Sequence, residues 1–402
     1  MIKIYPFPAL RAASEYASKV AATCTGIESN SELLKELEDN PFSYLHIVKP
    51  HLHFNDEVKN AKVHYPFAKN YFRQMMEQDV IHKVPQNSMY IYTQISADGD
   101  TFDGIVTGIS FLNYLEGDIK KHENTLAEKE ERLMNHVQSL GAVAEPVLLA
   151  CEDRLDLANW IKQNKKSPVF DFTMKDQGRH ILYELVEPKQ INQVQKIFDS
   201  IKKLYIADGH HRIAATTSYC TRLFTTQNKS VEDLLFMAYI IPESQLKIKS
   251  FHRVVKNIDA RLIDKLISNK QSAYSIESID TPLIPSSKGK IGMYYNRQWY
   301  QISVNNSNTS RLDVQFLDAE IFNSLLGIED TRLDTRISYL RGDIPLQEIQ
   351  SDVDHGTYTL AFTLFANTMD EIKSIADKHE TMPPKSTWIE PKLPVGMIIQ
   401  RF

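Results

Sequence analysis

Leu234 to Ile241 is apolar at every position and stops at Pro242. Eight such residues are short for a buried helix and suit a buried strand instead. A second sheet signal, Met89 to Ile95, ends at Asp98-Gly99, and Ile105 to Ile109 can return beside it. Val147 to Ala150 and Leu204 to Ala207 are further short apolar strands. Helical spacing marks Ser31–Leu37, the stretch behind Lys120–Arg132 (Leu133, Val137, Leu140), and Ile191, Val194, Ile197, Ile201 and Leu204. Arg212 to Leu223, rich in alanine and threonine, is another helix. Beyond residue 245 the pattern turns hairpin-like. Tyr294-Tyr295 and Trp299-Tyr300 flank a turn, and Thr357 to Phe365 alternates as a half-buried strand. No regular βαβ repetition occurs, so the expected class is α+β, with domains at 1–245 and 246–402.

Composition removes several function classes. The 402 residues carry 46 basic and 51 acidic side chains, a net charge of −5, which argues against a broad nucleic-acid surface. No apolar run is long enough to span a bilayer and the N-terminus has no secretory pattern, so a soluble cytoplasmic protein is expected. Cys24, Cys151 and Cys220 are too few and scattered for a disulfide framework and read as buried apolar residues. No Walker loop, dinucleotide fingerprint, HExxH or nucleophile elbow is present.

Three segments could carry chemistry. In Tyr205-Ile206-Ala207-Asp208-Gly209-His210-His211-Arg212 a strand stops at a carboxylate, a glycine permits a turn, and a helix begins. Amides at that helix start, with His210, His211 and Arg212, would make an anion site. Asp208 could hold magnesium, orient a histidine, or merely cap the helix. Adjacent histidines rarely converge on one zinc ion, and no finger spacing occurs elsewhere. Gly117-Asp118-Ile119-Lys120-Lys121-His122-Glu123 reads as a solvated charged face or as a general base, Glu123, with cationic neighbours. Met382-Pro383-Pro384-Lys385-Ser386-Thr387-Trp388 presents one cation and two hydroxyls on a proline-stiffened loop, suited to phosphate or carboxylate or equally to plain surface. Tyr44, His46 and Lys49 are weaker candidates.

Together YIADGHHR (205–212), KKHE (120–123) and PPKSTWIEPKL (383–393) resemble motifs of the free serine kinases, members of the ParB/sulfiredoxin-like superfamily. The chain is most similar to a larger subfamily, long filed as a domain of unknown function, that includes kinases using inorganic pyrophosphate. That resemblance runs through PFPALRA (6–12), NPFSYLHIVKP (40–50), GDIKKHE (117–123), AEPV (144–147), FHRVVK (251–256) and GIEDTRLDTRI (327–337). A proline-tyrosine-aspartate element usual near position 24 is replaced by AATCTGIES (21–29). The resemblance implies a ParB/sulfiredoxin-like mixed-sheet core and a C-terminal α+β domain closing a cleft. It also implies transfer of phosphate from pyrophosphate to L-serine, giving O-phosphoserine and phosphate, with Mg2+ as cofactor. Glu123 would act on the serine hydroxyl, and Asp208 would serve catalysis and hold Mg2+. Gly209, His210, His211 and Arg212 would bind phosphate, and Lys385, Ser386 and Thr387 the substrate. ADP or ATP is the alternative donor. A ParB-like nucleotide- or DNA-binding regulator is opposed by the charge. A sulfiredoxin-like redox enzyme is opposed by histidines where a catalytic cysteine would stand.

Overall fold

The computed structural model describes residues 1–24, 28–54, 61–174, 178–268, 273–305, 311–331 and 333–402. Residues 25–27 of the divergent 21–29 segment, and Arg332 of the 327–337 stretch, lie outside the described residues. The architecture is mixed α+β in two compact units, Met1–Leu246 with Pro391–Phe402, and Lys247–Glu390. The last twelve residues therefore depart from the expected 246–402 domain. Ile398–Arg401 pairs antiparallel with Ala9–Ala12 on one side and Ala142–Val143 on the other. Buried Ile398, Ile399 and Gln400 fix that strand in a four-stranded sheet of the first unit.

The main sheet of the first unit runs Ile119–Lys120, Leu204–Asp208, Val147–Cys151, Leu235–Pro242, Thr101–Ser110, Met89–Ile95, Gly178–Leu185, Phe170–Met174, with Ile4–Tyr5 paired onto Thr101–Ser110. Leu235–Pro242 is buried at all eight positions because it lies inside the sheet with side chains packed on both faces. Burying each large aliphatic side chain contributes roughly 1.5–3 kcal/mol, so an unpaired charge at the middle of this strand is expected to destabilise the unit strongly. The helix expected through Leu204 ends at Phe198. Ile201 keeps the apolar spacing from a buried turn, its amide bonded to the Phe198 carbonyl, and Leu204 already opens a strand. Cys151 and Cys220 are buried as expected, whereas Cys24 is only half-buried.

In the second unit six strands form an antiparallel sheet, Tyr274–Ile279, Gln298–Val304, Lys290–Tyr295, Leu360–Leu364, Phe251–Val255, Ile337–Arg341. Asn296 and Arg297, with φ of 47° and 62°, make the two-residue turn of one hairpin. The strand expected to be half-buried, Leu360–Leu364, is buried throughout. It is an inner strand, and Ile349 and Val353 of the helix Leu346–Asp354 cluster with its Ala361.

Buried titrating groups give the units opposite responses to acid. In the first unit burial holds His122 and His180 down to about 4. An unfolded histidine titrates near 6.5, so this stability is complete above about pH 6.5 and is lost toward pH 4. In the second unit burial lowers His252 to about 4 but raises Asp313 and Asp318 to about 6. Those aspartates stabilise fully below about pH 4 and lose that stability as pH rises through 6, against an unfolded value near 3.9. Each net proton changes stability by roughly 1.4 kcal/mol per pH unit. Hydrogen exchange, corrected for intrinsic rate, is expected to show residues 1–246 losing protection between pH 7 and pH 5 and residues 247–390 holding theirs. Equal losses in both would contradict these assignments.

Candidate active site

The strand Leu204–Asp208 carries the site to the sheet's C-terminal edge. Tyr205 and Ile206 pair with Ala150 and Leu149, but the next pair is Asp208 with Leu148, so Ala207 is an extra residue. Such a bulge bends the strand and re-aims the residue after it, here Asp208. Gly209 then takes φ +100° and ends the strand directly against the helix His210–Gln227. No side chain caps that helix. Its first amides and positive dipole end suit an anion.

Arg212, one turn into the helix, folds back over Gly209. It donates from Nη2 to Asp208 Oδ2 and from Nη1 to the Pro146 carbonyl, and its Nη2 forms an ion pair with Glu145 Oε1 at 3.0 Å. Lys392 donates to the other Asp208 oxygen, Oδ1. Burial opposes ionisation of Asp208, yet Lys392 and then Arg212 outweigh it and hold the carboxyl well below the usual range. Glu145 goes the other way, pushed up by burial despite Arg212. An apolar cavity of about 80 Å³ lies between Arg212, Glu145, Val137, Leu140 and Ala215. Cys24 stands within electrostatic range of Lys49, Glu145 and Arg212, its thiol raised chiefly by burial.

A Cβ on Gly209 would lie 2.9 Å from Arg212 Cζ, in a backbone region that side chains rarely adopt. Gly209→Ala is therefore expected to displace the guanidinium as well as strain the turn. The expected result is a Tm lower by about 2–4 °C with weaker anion binding. Unchanged anion affinity would separate Gly209 from the site.

The strand Ile119–Lys120 runs parallel to Leu204–Asp208, with Lys120 beside Tyr205, and the chain beyond it brings Glu123 to His210. The His122 amide donates to His210 Nε2 at 3.5 Å, and the two rings meet edge to face at 4.5 Å. An accepting Nε2 leaves the proton of a neutral ring on Nδ1. That nitrogen is 3.6 Å from Glu123 Oε2. Burial, reinforced by His122, keeps His210 well below its ordinary value, so the contact is a long polar one to a neutral imidazole. His211 Nε2 accepts from the Leu126 amide at 3.1 Å. Both histidines thus brace the segment that carries Glu123, which is itself about 38% exposed.

Glu123, Asp208, Gly209, His210, His211 and Arg212 are therefore together in the first unit. Lys385, Ser386 and Thr387 belong to the second unit. There Lys385 has φ 54° and its ammonium stands over the Phe251 ring at 5.2 Å. Ser386 is buried, donating to the Pro383 carbonyl at 2.6 Å while Asn367 holds its own carbonyl, so its hydroxyl shapes the loop. Buried Arg253 braces the same loop through the Pro384 carbonyl. Tyr44 is buried, and His46 stacks on Tyr71 and bonds His53.

Sequence reasoning missed Glu145 and Lys392. Both sit in short proline-flanked stretches, Glu145-Pro146 and Pro391-Lys392-Leu393-Pro394, where a charge has no periodic pattern to stand out from. As for magnesium, both Asp208 oxygens are engaged by cations, and no group of three or more His, Cys, Asp or Glu able to hold a metal occurs among the described residues. The arrangement does not fit a divalent ion held by Asp208. It fits an anion held by Arg212 and the helix start.

The chain belongs to the family described as "Protein of unknown function (DUF1015)", whose model matches residues 4–320. No curated protein matches it. Among solved structures it is similar to a variant of free serine kinase in complex with AMP, at 12% identity over 75% of this chain and 92% of that one, TM-score 0.39. Another is a variant of free serine kinase in complex with ADP, at 13% identity, 74% and 92% coverage, and TM-score 0.38. A third is SbnI with a C-terminal truncation from Staphylococcus aureus, at 12% identity, 72% and 87% coverage, and TM-score 0.39. No helix among the described residues is long and apolar enough to cross a membrane.

Proposed function

We propose that this protein is a phosphotransferase that phosphorylates free L-serine, with pyrophosphate as donor and phosphate as by-product. The observation that carries the reading is Arg212, clasped by Asp208 and Glu145 at an uncapped helix start, with Glu123 3.6 Å from His210, the first residue of the same helix. Phosphoryl transfer asks a protein mainly to position the reactants and to neutralise charge. The serine oxygen forms the new bond to phosphorus as the bridging oxygen–phosphorus bond of pyrophosphate breaks. The hydroxyl proton passes to Glu123, and Arg212 with the helix amides takes up charge on the transferring and leaving phosphates. His210 and His211 act from behind by holding residues 122–126. The motif resemblance supports serine as acceptor and assigns Lys385, Ser386 and Thr387 to its recognition, Ser386 with its hydroxyl turned onto the Pro383 carbonyl. It also supports a ParB/sulfiredoxin-like core, closure of the cleft by the C-terminal unit, and a cytoplasmic site of action. Magnesium belongs to this reading as an ion arriving with pyrophosphate.

The test is a donor screen. Purified protein with L-serine and magnesium receives pyrophosphate, ADP or ATP, and O-phosphoserine is followed by phosphorus NMR. Phosphoserine with pyrophosphate alone is the expected result. Formation only with ADP or ATP would replace the donor, and formation with none would remove the proposal.

A further inference from the structure

We propose that Lys392 is a donor-binding cation of this site, and that Asp208 is a positioning residue that presents Lys392 and Arg212 to phosphate. The inference rests on the phosphotransferase reading and adds a residue 184 positions from Asp208 in sequence.

Asp208 engages one cation on each carboxylate oxygen, Lys392 on Oδ1 and Arg212 on Oδ2. The oxygens of a phosphoryl group are spaced much like those of a carboxylate. Two cations preset on the one are therefore preset for the other, beside the amides that open the helix His210–Gln227. Both side chains are mostly enclosed, at 21% and 17% exposure, so their field is poorly screened by solvent. Their contact with Asp208 also repels a divalent ion from the same carboxylate. The site is thereby built from protein cations.

The backbone around Lys392 supports a fixed role. Pro391 and Pro394 flank it and restrict the chain. Val395 is bridged to Ala22, and the Gly396 amide donates to the Ala144 carbonyl at 3.1 Å, next to Glu145. Gly396 has φ +90°, and a Cβ there would lie 2.6 Å from the Tyr44 side chain. The ammonium is thus delivered by a pinned segment, as preorganised charge stabilisation requires.

Calorimetric titration of inorganic pyrophosphate, with magnesium in excess, into the full-length wild type, K392M, K392Q and K392R tests this. A parallel titration uses Mn2+ alone, and a thermal melt checks each fold. K392M is expected to bind pyrophosphate at least tenfold more weakly, K392R within about threefold of wild type, and serine KM to stay unchanged. Where K392M fails to fold, K392Q carries the same comparison. If Lys392 merely neutralises a metal-ligating Asp208, K392M will bind Mn2+ alone more tightly and pyrophosphate as well as wild type does, which overturns the assignment. A wild type that binds pyrophosphate no better than K392M overturns it too and leaves the phosphotransferase reading standing. A wild type that binds no pyrophosphate at all overturns both.

Discussion

Replacing Glu123 by glutamine is expected to lower turnover roughly 100- to 10,000-fold, the usual cost of losing a general base. The change keeps size and polarity, so affinities for serine and pyrophosphate should hardly move. The segment's other supports, the His122 amide on His210 and the Leu126 amide on His211, do not involve the carboxylate and should keep the backbone in place. An ordinary half-exposed surface glutamate would behave differently. Turnover within about threefold of wild type, under 1 kcal/mol of barrier, would put Glu123 in that class. Single-turnover measurement of phosphoserine at saturating substrates separates the two outcomes.

Arg212→Ala is expected to cost about 2.7–4 kcal/mol of transition-state stabilisation, the scale of a lost preorganised donor. In turnover that is roughly 100- to 1,000-fold. The substitution also deprives Asp208 and Glu145 of their shared counterion and frees the Pro146 carbonyl, so Tm should fall as well. Arg212→Lys keeps the charge without the planar fork. It should recover stability better than activity, because a lysine cannot span Asp208, Glu145 and Pro146 at once. A folded Arg212→Ala protein with near-normal turnover would end the anion-site reading. Lys385 is best tested by point substitution. A chain stopped before Thr381 would also lose Ile398–Arg401, an inner strand of the first unit.

Local patterns in the chain reached far into the fold. Met89–Ile95 is a strand with those same limits, and Leu235–Pro242 is fully buried, because a continuous or alternating apolar run admits few structures. The Asp208–Arg212 run was legible because strand, turn and helix start follow one another without a gap. Periodicity failed where buried loops imitate it. Ile201 and Leu204 keep helical spacing while lying in a turn and a strand. It failed again at Leu360–Leu364, whose second face is covered by a helix that only tertiary structure brings there. Glu145 and Lys392 lie inside the recognised stretches AEPV and PPKSTWIEPKL, but nothing local singles them out there. Their meaning depends on contacts with Arg212 and Asp208 far along the chain, and no spacing rule joins them to either. The bulge at Ala207 was hidden too, since it exists only relative to Val147–Cys151.

The position of Ile398–Arg401 between Ala9–Ala12 and Ala142–Val143 matters for how the molecule is made. As the chain leaves the ribosome, the first unit has nearly all its residues by Leu246, but not this strand and not Lys392. The intervening unit then occupies roughly 7–29 s of synthesis, at about 5–20 residues per second. Throughout that interval two strand edges stand open to any passing extended segment, and Asp208 waits for its second cation. The first unit therefore lacks this strand and the Lys392 contact of Asp208 until the second unit has been made. Closure of the first unit's four-stranded sheet thus waits on one short strand that follows the second unit in sequence.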